Sequence, residues 1–385
     1  MSDLQPQFDW IARLCRHDTT SRNSNLPLIE DVEAYLKDHG VPATRVPNED
    51  GTKANLYFTV GPNVEGGVVL SGHTDVVPVD GQPWDTNPWE VVEKDDKLYG
   101  RGTADMKSFS AIGLSLLPDM LAANLKKPIH FALSYDEEIG LLGAPSMIKE
   151  IKDLVPAPAA VIVGEPTDMQ VVDGQKGIAV FRTEITGHEA HSSQPHRGAS
   201  AIMAAGRLIA KIEEMVEKRR QSADPSSPFM PPYTTMSVGL IEGGTAGNIL
   251  ARKCSFTWDV RVLPGEDVGA IKTEYDAEAA RVLADMQAIA PDCMITTETL
   301  ADGPPLMPQA ENAAAELTHK LTGSNGRSSV SYAAEAGQFQ EAGFPTVICG
   351  PGSIDQAHQP NEFIKISQVA EGTRFMRKLI AYLSS

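Results

Sequence analysis

The sequence predicts an α/β fold: a mostly parallel sheet between helices, with a smaller ferredoxin-like module inserted into it. Three observations carry this. Short β-branched or aromatic runs alternate with helix-period segments through the first part of the chain, the pattern of a parallel sheet covered by helices. Three of those runs end in side chains that ligate metals or move protons. Val68-Val69-Leu70 leads into Ser71-Gly72-His73-Thr74-Asp75, residues 129–135 into Asp136-Glu137-Glu138, and residues 160–163 into Gly164-Glu165. In an open α/β sheet the ligand crevice lies outside the carboxyl ends of the strands. From about residue 178 the order becomes β-α-β-β-α-β, that of a ferredoxin-like module.

Taken in order, residues 8–15 and 28–39 read as helices, the second stopped by Gly40. Residues 55–60 and 67–70 read as strands. Residues 107–121 carry Phe109, Ile112, Leu116 and Met120 at helical spacing and predict a core-facing helix. A strand before Glu137, a short helix near 143–151 and a strand before Glu165 follow. In the module, strands are expected at 178–186, 234–241, 253–262 and 294–300, and helices at 199–218 and 267–289. The Ser/Pro-rich stretch 221–232 is a loop within it. The first pattern then resumes through the strand at 346–349 to a final helix near 366–383. The expected domains are therefore 1–177 with 302–385, and 178–301.

At 385 residues the chain exceeds the size of a single core, so two domains are expected. A formal net charge of −18 argues against nucleic acid as a partner, because phosphate binding needs a basic face. The N-terminus shows no basic-then-apolar signal and no apolar run approaches spanning length, so no membrane partner is expected. Cys15, Cys254, Cys293 and Cys349 are scattered, without a CxxC pair. That spacing suits reduced thiols in a cytoplasmic protein.

The polar strand ends supply the chemistry. His73 and Asp75 lie two apart on one strand face, an imidazole to ligate and a carboxylate to orient it. Asp105 sits in the glycine-bearing turn Gly100-Arg101-Gly102-Thr103-Ala104-Asp105 before a helix; alone it would be a helix cap. Glu137 and Glu138 are adjacent carboxylates at a strand end, where a two-metal hydrolase needs one on a metal and one free to take a proton from water. His358 follows another strand and turn. Two His, one Asp and two Glu together suit a pair of zinc ions with N/O ligands, and such a set also accepts cobalt or manganese.

These stretches, Gly72–Pro78, Gly100–Lys107, Asp136–Gly140 and Gly164–Thr167, resemble the signatures of the di-zinc amidohydrolases, the aminoacylase and carboxypeptidase family. The resemblance covers essentially the whole chain. It implies a zinc-peptidase-like catalytic domain and an inserted dimerisation (lid) domain. His73 and Glu165 would hold one zinc, Glu138 and His358 the other, with Asp105 bridging; Asp75 would orient His73 and Glu137 would be the general base. In the module, His191 matches a histidine that reaches the neighbouring subunit's active site. Asn248 matches a polar residue near the substrate and Arg261 a residue that binds substrate carboxylate. Leu250-Ala251 departs from the apolar-proline pair that many relatives carry. Residues 134–140 and Ala334-Glu335-Ala336 look closest to the acetylornithine-deacetylase branch. That branch implies a homodimer acting on a small N-acyl amino acid, N-acetyl-L-ornithine, giving L-ornithine and acetate for arginine biosynthesis. Glu335 would meet the cationic end of such a substrate; a glutamate at a helix N-terminus is its other reading. A desuccinylase, a broad N-acyl-amino-acid deacylase and a catalytically silent binding protein are the rival readings.

Overall fold

Strands buried on both faces read as continuous apolar runs, and the computed structural model, which describes residues 4–385, builds its larger sheet from such runs. Val68–His73, Ile129–Ser134 and Ala160–Pro166 are buried at every position. The sheet has eight strands in the order Ala43–Pro47, Ala54–Val60, Ile129–Ser134, Val68–His73, Ala160–Pro166, Thr346–Gly350, Val172–Gln175 and Ser328–Val330. Its four central strands run parallel, and antiparallel pairings flank them. The register sets His73 opposite Ser134 and Ser71 opposite both Ala132 and Val163, so three carboxyl ends finish side by side.

The helices are Gln5–Cys15, Leu26–Asp38, Lys107–Ser115, Leu117–Ala122, Ala144–Leu154, Ala313–Thr322, Ala336–Glu341 and Ile366–Leu383. The single helix expected over 107–121 is two. Pro118 has no N–H for the Leu114 carbonyl, so the chain breaks at Leu116 and restarts with proline in its first turn. Gly164 lies so close to Phe109 that a Cβ there would sit 2.1 Å from the ring, which allows this helix to pack on the strand. A small antiparallel sheet, Phe363–Lys365, Lys97–Tyr99 and Val92–Lys94, pairs Phe363 with Tyr99. Apart from Gln175 and Val330, the last residues of two strands, these elements belong to one compact unit, comprising the chain up to Gly174, Leu306–Ser329 and Ala334–Ser385.

The second unit is Gln175–Pro305 with Val330–Ala333, a few residues wider than 178–301. Its four strands lie in the order Thr235–Gly243, Lys253–Val262, Gly177–Thr186, Met294–Gly303, all antiparallel, with helices Ala201–Gln221 and Val268–Gln287. Burial alternates residue by residue along Gly177–Thr186 and Lys253–Val262. Trp258, Tyr275 and Phe181 stack at 4.5–4.6 Å on the inner face. The Tyr275 hydroxyl lies 2.8 Å from Thr183 Oγ1, so the buried phenol is satisfied. All four cysteines are buried and unpaired. No helix among the described residues is long and apolar enough to cross a membrane.

Candidate metal centre

Each polar group of the first unit's cluster is delivered by a strand end or the turn beyond it. His73 closes its strand almost fully buried, and its Nδ1 lies 2.9 Å from the carbonyl oxygen of Asp75. That oxygen can only accept, so in the neutral ring the proton sits on Nδ1 and the Nε2 lone pair is free. Nε2 faces Asp105 Oδ1 at 3.1 Å and Glu165 Oε1 at 3.7 Å. Asp105 presents its other oxygen to the second histidine, with Oδ2 3.3 Å from His358 Nε2. Glu138 Oε2 lies 3.1 Å from the same nitrogen. One oxygen of Asp105 thus faces each imidazole. Glu137 shares a donor group with His73 and Glu165, and Glu138 shares one with His73 and Asp105; within each group the ligand atoms lie within 4.8 Å of one another.

The electrostatics report an excess of negative charge. Burial raises Glu165 and Glu137 well above the usual carboxylate range, and neighbouring carboxylates add to it. Glu138 is raised by burial and by Asp105, to about 7. Burial opposes charge on His73, yet the Asp105 hydrogen bond and nearby carboxylates lift the ring well above its ordinary value. His358 rises to about 10 through its hydrogen bonds to Asp105 and Glu138. Burial alone would raise Asp105, but the two histidines hold it below the usual range. Protons held on the imidazoles are one way to offset so many carboxylates; divalent cations are the other. Glu165 Oε1 is buried with no hydrogen-bond partner, an acceptor aimed into the cluster. The donor set, nitrogen and oxygen without thiolate, fits a divalent ion of the zinc or cobalt type.

Two candidate residues have further partners. The Asp75 carboxylate lies 3.7 Å from His73 Nδ1, farther than the main-chain carbonyl of Asp75 at 2.9 Å. The carboxylate accepts the Ser21 hydroxyl at 2.6 Å and the backbone N–H groups of Glu137 and Glu138 at 3.2 Å each, holding the turn that presents both glutamates. Glu335 is only 1% exposed, and its two oxygens are taken by Ser71 at 2.9 Å and by Ser134. No oxygen of it is open to a substrate. It stands at the N-terminus of the helix Ala336–Glu341 without a side-chain cap bond, the position the helix-terminus reading requires.

In the second unit, His191 is exposed. The Ser193 backbone N–H donates to its Nδ1 at 3.2 Å, which leaves the proton of the neutral ring on Nε2. Asn248 is exposed on the adjoining segment, its carbonyl accepting from the Ser192 N–H at 2.9 Å, and His191 bridges Ile249. Main-chain bonds from the Leu250 N–H to the Ala190 carbonyl and from the Ala201 N–H to the Ala251 carbonyl pin this turn. Arg261 lies on the Lys253–Val262 strand, ion-paired to Asp259 at 3.0 Å.

Sequence reasoning missed Ser21, Gln82 and Glu362, which bond to the ligand-bearing turns. Ser21 and Gln82 lie more than 50 and 270 residues from the groups they hold, so spacing carries no signal for them. Glu362 stands only four residues beyond His358 and was within reach of a motif search.

Comparison with known proteins gives a consistent result. Residues 69–382 match the model of Peptidase family M20/M25/M40. The chain is 33% identical to the acetylornithine deacetylase of Pasteurella multocida, covering 99% of this chain and 94% of that one. It is 35% identical to that of Erwinia tasmaniensis, covering 90% and 88%. Among solved structures, the M20 family metallo-carboxypeptidase Sso-CP2 from Sulfolobus solfataricus shares the fold, with a TM-score of 0.76, 18% identity and 99% coverage of each chain. The aminopeptidase PepT from Bacillus cereus does so at 0.73, 18% and 99% of each. With carboxylates and imidazoles converging where the sheet's strands end, and a family match over most of its length, the chain belongs to Peptidase family M20/M25/M40 and is a metal-dependent hydrolase.

Proposed function

We propose that the chain removes the acetyl group of N-acetyl-L-ornithine, releasing L-ornithine and acetate, a step of arginine biosynthesis in the cytoplasm. The observation that carries this is the 33–35% identity to acetylornithine deacetylases over 90–99% of the chain, joined to donor groups around His73 and to His358 beside Asp105 and Glu138. His73, Glu165 and Asp105 would hold one ion, and Asp105, Glu138 and His358 a second; zinc is the expected metal and cobalt a substitute. Bound there, such ions supply Lewis acidity toward the scissile carbonyl and make a water easier to deprotonate. Glu137 then accepts the proton of the attacking water and returns it to the leaving amine. Asp75 keeps the Glu137–Glu138 turn in place through two backbone N–H bonds. His191 would donate its Nε2 proton to the developing oxyanion, from the partner subunit of a homodimer. Asn248 and Arg261 would bind the substrate, Arg261 through the carboxylate, in exchange for its present partner Asp259.

The test is turnover of a panel by metal-depleted protein reloaded with zinc or cobalt: acetylornithine, succinyl-diaminopimelate, acetylmethionine and a glutamyl peptide, read with ninhydrin. Acetylornithine should give the highest kcat/KM. A higher value for succinyl-diaminopimelate or acetylmethionine moves the chain to another substrate of the family, and no turnover of any of them removes the enzymatic reading. Glu137→Gln should retain bound metal and lose about 10²–10⁴-fold in turnover. Full activity in that variant would overturn the mechanism.

A further inference from the structure

The Phe363–Tyr99 strand pair sets Glu362 beside the turn that leads to Asp105, and the Gly100 N–H donates to the Glu362 carbonyl at 3.0 Å. The side chain of Glu362 is fully buried and faces that turn. Its Oε1 accepts the backbone N–H groups of Ala104 at 2.7 Å and Asp105 at 3.0 Å. Its Oε2 accepts the Gly102 N–H at 3.1 Å and Arg101 Nη1 at 2.6 Å. Gly102, at φ +85°, lets neighbouring N–H groups converge on one carboxylate, the concave arrangement that binds anions elsewhere. Arg101, 1% exposed, neutralises the buried charge and passes the contact on. Its Nη2 donates to Gln82 Oε1 at 2.7 Å, and Gln82 Nε2 donates to the carbonyl of His358 at 2.9 Å. His358 has φ +64°, a conformation that a residue with a Cβ keeps only where its surroundings hold it.

We propose that Glu362 is a positioning residue of the metal centre, a buried carboxylate that fixes the backbone presenting Asp105 and, through Arg101 and Gln82, the loop presenting His358. It touches neither substrate nor metal. Its effect is to hold the two oxygens of Asp105 and the His358 imidazole at the separation that two ions require. Hydrogen bonds behind metal ligands act in this way by removing the freedom a ligand would otherwise lose on binding. The inference rests on the reading of Asp105 and His358 as ligands.

The test measures metal affinity directly, without turnover. Metal-free wild type, Glu362→Gln and Gln82→Ala are titrated with cobalt, followed by its visible absorption, and with zinc against a chromophoric chelator. Circular dichroism and thermal unfolding of the metal-free proteins report the fold. Glu362→Gln should bind metal about 10–100-fold more weakly than wild type. Gln82→Ala, which cuts the arm to His358 together with a bond from Trp84 Nε1 but leaves the bonds of Glu362 intact, should keep the metal-free melting temperature and weaken one of the two binding steps. A folded Glu362→Gln with wild-type affinity overturns the proposal. If Glu362→Gln fails to fold, Gln82→Ala decides, and wild-type affinity in both of its steps overturns it. A wild-type chain that takes up no cobalt or zinc removes the metal centre itself, and this proposal with it.

Discussion

The two sheets of this chain solve opposite problems. In the larger, Val68–His73, Ile129–Ser134 and Ala160–Pro166 are buried along their whole length, so their only polar outlets are their ends. In the smaller, Gly177–Thr186 and Lys253–Val262 bury every second residue and leave the other face to water. The first arrangement concentrates desolvated ionisable groups where several strands stop together, and that is where the carboxylates and imidazoles gather. The second has an aromatic core and exposed charge, and its candidate residues His191 and Asn248 stand on exposed turns. A sheet closed on both faces thus gathers its polar groups at the strand ends, whereas the one-faced sheet carries candidate residues on the turns that leave it and, with Arg261, on a strand.

The largest effect that sharpens this contrast is in the smaller core. Trp258→Ala removes the indole between Phe181 and Tyr275 and its Nε1–H bond to Thr183, which keeps its other partners. It should destabilise the second unit by about 3–5 kcal/mol. Calorimetry of the metal-free chain should show one transition moved down while cobalt uptake at low temperature stays at its wild-type level. Loss of cobalt uptake by the folded variant would mean that the two units are not separable in this sense.

Acid should act on the other unit. His130 is buried in the larger sheet, its Nδ1 bonded to Thr59 at 2.9 Å and its Nε2 without a partner. Burial lowers its pKa from 6.5 to about 4. The unfolded chain therefore binds the proton more readily, so stability is fully present above pH 6.5 and lost as pH falls toward 4. By linkage the loss is on the order of 3 kcal/mol. In the second unit His191 and His196 are exposed and His188 is half-buried beside Asp292. The raised carboxylates Glu137, Glu138 and Glu165 act with the opposite sign over this window, so the effect is read as a difference: between pH 6.5 and 4, metal-free wild type should lose stability relative to His130→Gln. An unchanged difference between the two would assign the acid sensitivity to other groups.

The smallest contrast lies in two helix caps. Asn312 is buried, accepts from the Ala314 and Ala315 N–H groups, and also donates to the Thr346 carbonyl at 3.0 Å. Asp267 caps Val268–Gln287 in the second unit by one exposed bond from Gly269 at 2.8 Å. Asn312→Ala should cost about 1–2 kcal/mol and Asp267→Ala about 0.5–1 kcal/mol in chemical denaturation. Equal costs would show that the extra bond to the central strand adds nothing.

Periodicity made the long elements legible. The runs ending at His73, Glu137 and Glu165, and the β-α-β-β-α-β order of the module, were readable because each rests on local residue pattern alone. The break at Pro118 was equally local and went unread because apolar spacing continued across it. Strands of three residues, such as Lys97–Tyr99 and Phe363–Lys365, are too short to show a period and exist because each finds the other. The residues able to ligate were visible as types at strand ends, but their sharing was implied only by the family resemblance and not by residue pattern. That Asp105 faces one imidazole with each oxygen depends on strand register and a turn, not on spacing in the chain. The same holds for what stands behind them: Asp75 reaching two backbone amides, Glu335 closed between Ser71 and Ser134, and Glu362 closing the turn before Asp105. Local pattern sets which face a residue takes, because side-chain direction follows the backbone period. Which distant polar group meets it is settled when the chain packs, because a buried donor or acceptor must find a partner wherever the fold has brought one.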